Sequence, residues 1–158
     1  MMEERTYEMI GDGRNILVRP MKEEDAAAVA LLEAAVFSQP WSRQDFLDVL
    51  KKEEVLYVVA ADGERIVGCC GVWNIGGDGN ISNVLVEESQ RHQGIGRLLL
   101  QTLLTWGEKQ GITAYTLEVR ASNAPAIHLY ESLGFERAGI RPRFYKKPEE
   151  DALIMWKR

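Results

Sequence analysis

Arg91, Gly94 and Gly96 stand in the spacing R-x-x-G-x-G, between an apolar run at residues 81–86 and a long stretch of helical periodicity. A glycine-containing turn that leads from a strand into a helix leaves backbone N–H groups aimed at one spot, where the helix dipole favours an anion. That spot suits a pyrophosphate. The glycines let backbone approach closely, and Arg91 and Arg97 bring local positive charge, so the candidate anion-binding residues are Arg91, His92, Gln93, Gly94, Ile95, Gly96 and Arg97. A P-loop would need Gly-Lys-Ser/Thr after four intervening residues, and a dinucleotide fingerprint needs G-x-G-x-x-G; neither is present. A glycine turn that merely opens a helix would look the same.

Two further residues have reactive side chains in telling places. Glu118 alternates with Leu117 and Val119, so it leaves the face they share and, if helices cover both sides of the sheet, enters a pocket or a buried layer. A lone buried carboxylate is costly, so it is either a general base or the partner of Arg120 or another strand neighbour. Tyr130 falls three residues after Ile127 on a short helix, where a core aromatic and a phenolic proton donor look alike. Asn123 precedes that helix as its N-cap, and His128 reads as a solvated helix position.

The elements that hold these residues belong to an ordinary folded chain of 158 residues, 46% hydrophobic and 27% charged. The length suits one domain spanning residues 1–158. Nineteen basic against 24 acidic residues leave a net charge of −5, the wrong sign for a general nucleic-acid binder, so any anion must be held locally. No apolar run approaches the ~18 residues of a membrane span, and residues 1–9 are charged rather than signal-like. Cys69 and Cys70 are adjacent in a strand-like run and point to opposite faces, which disfavours a disulfide; with only His92 and His128 besides, no metal site is expected. A reducing cytoplasm is the expected compartment.

Alternation marks a strand at residues 15–20, ended by Pro20. Glu23, Glu24 and Asp25 open a first helix carrying Val29, Leu32 and Val36, and residues 37–41 break it. Ser42, with Asp45 three residues on, caps a second helix. Strands follow at residues 55–61, 66–73 and 81–86, with turns at residues 62–63 and 76–79. The long helix spans about residues 94–110, a strand follows at residues 115–120 and a short helix at residues 124–133, and strands at residues 135–143 and 152–156 close the chain. The order β-α-α-β-β-β-α-β-α-β-β predicts an α/β fold in which the strands flanking the long helix are parallel, with a right-handed crossover.

With Arg91, Gly94 and Gly96 in that place, the motif resembles the Q/R-x-x-G-x-G/A signature of the GCN5-related N-acetyltransferases, the GNAT family. Residues 117–135 (LEVRASNAPAIHLYESLGF) resemble the ribosomal-protein-alanine N-acetyltransferase branch more narrowly. Residues 37–42 are similar to that branch's FPWS loop, and residues 140–155 fit it too. The resemblance implies a GNAT-type mixed sheet of about seven strands with four helices on both faces, splayed between its fourth and fifth strands. It implies acetyl-CoA as cosubstrate, its pyrophosphate at the Gly94 turn, with Asn123 as a further contact. Its pantetheine arm would lie in the splay against the backbone of Val84, Leu85 and Val86. A backbone N–H at Leu85 or its neighbour would polarise the thioester carbonyl. Glu118 matches the proton acceptor, acting directly or through water, and Tyr130 the donor to the departing thiolate. His92 departs from the commoner arginine or lysine.

No basic residue stands near Cys69 or Cys70 to activate a thiol, so direct transfer is expected, and the resemblance implies as acceptor the N-terminal α-amine of a protein, a ribosomal protein beginning with alanine. An α-amine with a pKa of ~8 also asks less of one carboxylate base than a lysine at ~10.4. The acceptor would enter between residues 37–42 and 143–151, walled by Trp41 and Tyr145. The alternatives are a small-molecule amine acetyltransferase on the same fold and a non-catalytic acyl-CoA-binding module. No nucleic acid or membrane partner is expected.

Overall fold

The computed structural model describes residues 15–158 and the backbone of Arg5 and Thr6. The reading of residues 1–9 as unlike a signal otherwise lies outside the described residues. Eight strands form one sheet among the described residues: β1 (Arg5–Thr6), β2 (Leu17–Pro20), β3 (Val55–Asp62), β4 (Arg65–Ile75), β5 (Asp78–Val86), β6 (Ala114–Arg120), β7 (Glu136–Tyr145) and β8 (Glu150–Lys157), in the order β1-β2-β3-β4-β5-β6-β8-β7. The strand beyond the expected seven is β1, whose two residues are too short to leave a periodic pattern. The expected fourth and fifth strands are therefore β5 and β6.

The helices are α1 (Ala26–Val36), α2 (Arg43–Val49), α3 (Ile95–Lys109) and α4 (Ala124–Ser132). Ser42 caps α2 through a reciprocal pair of bonds with Asp45 (3.1 and 2.8 Å). Apolar residues of α1 and α2, among them Val29, Phe46 and Val49, pack on one face of the sheet against Tyr57, Val59, Cys69 and Leu85. Leu99, Leu100 and Leu103 of α3 and Tyr130 of α4 pack on the other face with Val58, Cys70, Val72, Leu117 and Val119. The adjacent cysteines thus serve opposite layers, free and buried; burial pushes both thiols up, away from the thiolate a nucleophile needs. Asp78 and Gly79 belong to β5 rather than to the preceding turn, because both pair with β4 and β6.

The sheet is antiparallel except at its middle, where β5 and β6 run parallel. Their ladder joins only Asp78, Asn80 and the residue between them to residues 114–116. Beyond Asn80 and Thr116 the two strands part, and the backbone of β5 from Ile81 to Val86 has no partner on β6. Among the described residues no helix is long and apolar enough to cross a membrane.

Candidate active site

At the end of β5 the chain makes a 3-10 turn (Glu88–Gln90), and then His92 (φ 64°) and Gly94 (φ 83°) both take left-handed conformations before α3 begins. Such conformations next to right-handed ones gather successive N–H groups into a concave nest. Gly94 is the N-cap and has no side chain to satisfy the first-turn amides, so they remain available to a ligand at the positive end of a 15-residue helix. Gly96 faces α4: a Cβ there would stand 3.3 Å from Leu129 Cδ2, a tight contact that the leucine would have to relieve by a few tenths of an ångström. Arg91 Nε donates to the Val86 carbonyl (3.1 Å), which folds the arginine back over the end of β5. Arg97 Nη2 donates to Ser132 Oγ (2.6 Å), tying α3 to the end of α4. His92 is exposed, and the backbone of Val84, Leu85 and Val86 lines the parted edge of β5.

The parted strand also carries a bulge. Cys69 faces Leu85 and Gly71 faces Ser82, so Asn83 and Val84 together oppose the single residue Cys70. Asn83 takes φ 55°, a conformation asparagine tolerates better than other side chains. Its Oδ1 accepts from the Tyr57 hydroxyl (2.7 Å), and its Nδ2 donates to both carboxylate oxygens of Glu33 on α1 (3.2 and 3.1 Å).

Glu118 of β6 lies on the face of α1 and α2, opposite in direction to buried Leu117 and Val119. Its ion-pair partner is Arg141 of β7 (Nε to Oε2, 3.0 Å), not Arg120. Arg120 turns instead to Glu150 (3.2 Å) and to the carbonyls of Lys146 and Pro148, with its guanidinium 4.6 Å above the Tyr145 ring. Burial pushes the Tyr145 phenol up to about 12, with the nearby Glu118 carboxylate acting in the same direction. Ser38 Oγ donates to the Lys146 carbonyl (3.1 Å), so the loop after α1 touches the β7–β8 turn. Trp41 is half-buried against Phe46 and Tyr57, at ring separations of 5.1 and 6.0 Å.

Tyr130 is buried on the opposite layer, 6.0 Å from the Phe135 ring. Burial pushes its phenol well up, which keeps it protonated. Asn123 caps α4 by accepting from the Ala126 N–H (3.3 Å), and His128 is exposed. The parting of β5 from β6 therefore separates a phenol on the α3–α4 layer from a carboxylate on the α1–α2 layer, while Tyr145 lies within electrostatic reach of both. Glu33, Asn83, Tyr57 and Arg141 were not singled out by sequence reasoning. Two of them left a signal: Glu33 lies four residues after Val29 on the apolar face of α1, and Asn83 interrupts an apolar strand.

The acetyltransferase (GNAT) family pattern matches residues 24–135, which include the parted strands and the glycine turn that opens α3. The chain belongs to the GNAT family and is an N-acetyltransferase that uses acetyl-CoA. It is 33% identical over 140 residues to the Escherichia coli K12 protein named [ribosomal protein bS18]-alanine N-acetyltransferase, covering 87% of this chain and 94% of that one. It is also 33% identical over 153 residues to the N-alpha-acetyltransferase RimI of Mycobacterium tuberculosis, covering 93% and 95% of the two chains. The crystal structure of the Escherichia coli ribosomal-protein-S18-alanine N-acetyltransferase superposes with a TM-score of 0.82 over 90% of this chain and 92% of that one, at 33% identity.

Proposed function

We propose that this enzyme acetylates the N-terminal α-amine of a protein, and that its acceptor is the alanine terminus of the ribosomal protein for which its relatives are named. The observation that carries the reading is the Glu118 carboxylate on the acceptor side of the parted strands, with the Tyr130 phenol on the other side. Acetyl-CoA supplies a thioester carbonyl. The amides of the Gly94 turn and the first turn of α3 hold diphosphate, and the parted edge of β5 offers backbone groups to the pantetheine arm. Arg91, whose guanidinium folds onto the end of β5, and Arg97 in the first turn of α3 supply positive charge to the anion, and Asn123 is a further contact for the cosubstrate.

Glu118 takes a proton from the acceptor ammonium, since only the free amine has the electron pair that attacks. A backbone N–H at the β5 bulge stabilises the negative charge that develops on the carbonyl oxygen. Tyr130 gives its proton to the sulfur as the C–S bond breaks, the acetyl group passes directly to the amine, and the new amide nitrogen sheds its second proton to water, from which the phenol is restored. Trp41 and Tyr145 wall the acceptor's path, under the bridge that Ser38 makes to Lys146. Arg141 must leave Glu118 for the ammonium to take its place. The buried free cysteines and the cosubstrate support a cytoplasmic protein, and the net charge of −5 speaks against nucleic acid as a partner.

Mass spectrometry of ribosomal-protein N-termini from cells with and without this protein tests the acceptor. The reading requires loss of acetyl from an alanine terminus in its absence. Acetylation of polyamines or aminoglycosides with no activity on short alanine-starting peptides would replace it with a small-molecule enzyme, and acetyl-CoA binding without thiol release on any amine with a binding module.

A further inference from the structure

None of these steps uses the carboxylate of Glu33, although α1 buries it to 2% exposure. No cation pairs with it among the described residues. Its partners are the Trp41 N–H (3.0 Å) and the Asn83 side-chain amide (3.2 and 3.1 Å). The ionisable groups around it are Asp45 of α2, Tyr57 of β3 and Cys69 of β4, none of which offers positive charge. A buried, uncompensated carboxylate is expensive and needs a reason.

The two partners of Glu33 belong to the two segments that the reaction must bring together. Trp41 lies in the loop that walls the acceptor's path. Asn83 is the left-handed residue of the β5 bulge, whose backbone amides are assigned above to the thioester carbonyl. The Asn83 Oδ1 in turn accepts from the Tyr57 hydroxyl, which also lies 3.1 Å from Ser82 Oγ and accepts from Trp73 Nε1 (3.4 Å). Tyr57 has no freedom to drift, because its ring occupies the space of a missing Cβ at Gly71, 2.3 Å from Cζ.

A carboxylate suits this junction because it only accepts. An amide in its place would turn an NH2 group toward the Asn83 NH2, and relief would require Asn83 to flip and the Tyr57 hydroxyl to reverse its role. We propose that Glu33 is a positioning residue that clamps the acceptor loop to the β5 bulge, holding the incoming amine in line with the polarised carbonyl. The proposal rests on the transfer geometry given above, because it assigns the bulge and the loop to the two reactants.

The test is a double-mutant cycle of Glu33→Gln and Asn83→Gly, the glycine keeping the left-handed backbone while removing the amide. A misplacement of about 1 Å costs up to about 100-fold in rate, so Glu33→Gln is expected to lower kcat by about 10- to 100-fold while acetyl-CoA affinity stays within about twofold. The double variant should then be no slower than Asn83→Gly alone. An unchanged kcat, or losses that multiply, would overturn the clamp.

A second readout needs no acceptor. In ligand-free protein the backbone amide resonances of Trp41 and Val84 should both move on Glu33→Gln, and unchanged resonances would refute the proposal whichever amine is acetylated. Should Glu33→Gln fail to fold, Tyr57→Phe keeps the ring over Gly71 and removes only its hydroxyl. It should move Val84 and lower kcat with acetyl-CoA affinity intact, and a wild-type kcat there would overturn the proposal.

Discussion

Arg141 Nε lies 3.0 Å from Glu118 Oε2, reaching it from β7 across the width of β8. Glu118 faces Ile154 and Arg141 faces Ala152, so the two side chains meet diagonally on the sheet face that α1 and α2 leave open. The candidate base is thus held by a half-exposed guanidinium where an acceptor ammonium would have to bind. A partly exposed ion pair of this kind is worth about 0.2–1 kcal/mol, a modest cost to displace.

Arg141→Gln is therefore expected to lower the KM for the acceptor by about 1.5- to 5-fold, the factor equivalent to that energy, while the KM for acetyl-CoA stays the same. Steady-state kinetics with both substrates varied measures this. A raised acceptor KM would mean that Arg141 binds the acceptor instead of competing with it.

Glu118→Gln and Tyr130→Phe should separate base from acid. Loss of a positioned base costs about 10²- to 10⁴-fold in kcat, and for Glu118→Gln the loss should be greatest at low pH, where the acceptor is most fully protonated. Acetyl-CoA affinity, read by calorimetry, should remain near wild type in both. Because burial pushes the Tyr130 phenol well up, its deprotonation should produce no fall in wild-type kcat below about pH 10, the ordinary tyrosine value. A large loss of acetyl-CoA binding in either variant would make that residue structural.

Gly94→Val puts a β-branched side chain at φ 83°, in the mouth of the diphosphate turn. The left-handed conformation costs such a residue roughly 1–2 kcal/mol, so a lower Tm and a markedly weaker acetyl-CoA Kd are expected together. Retained affinity for acetyl-CoA would place the diphosphate away from this turn.

Glu33 has a folded-state pKa raised above the ordinary glutamate value by burial, with the Trp41 and Asn83 hydrogen bonds offsetting part of the rise and Asp45 adding to it. The folded protein therefore takes up the proton before the unfolded chain does as pH falls. The penalty for the charged form is complete above the raised value and relieved below the ordinary one. Denaturant melts from pH 7 downward should show the wild type gaining stability relative to Glu33→Gln through that window. A constant difference between the two would mean that Glu33 does not titrate with folding.

Local chemistry made much of this enzyme legible in its sequence. Period-two alternation placed Glu118 on the face away from Leu117 and Val119 and sent Cys69 and Cys70 to opposite layers, since successive strand side chains must diverge. Ser42 and Asp45 announced the cap of α2, and the Arg91-x-x-Gly94-x-Gly96 turn announced the start of α3. Each of these depends on neighbours within a few residues along the chain.

Contacts between distant elements followed a different logic. Arg120 was the nearest cation to Glu118 in sequence, yet residues two apart on one strand are about 6.6 Å apart, and the order β6-β8-β7 brought Arg141 alongside instead. Arg97 met Ser132, 35 residues on, because α3 and α4 lie side by side on the same face of the sheet. The bulge at Asn83, the carboxylate of Glu33 beneath it and the parting of β5 from β6 arise from strand register and helix docking. Those are decided by how whole layers pack, and no short stretch of sequence contains that information.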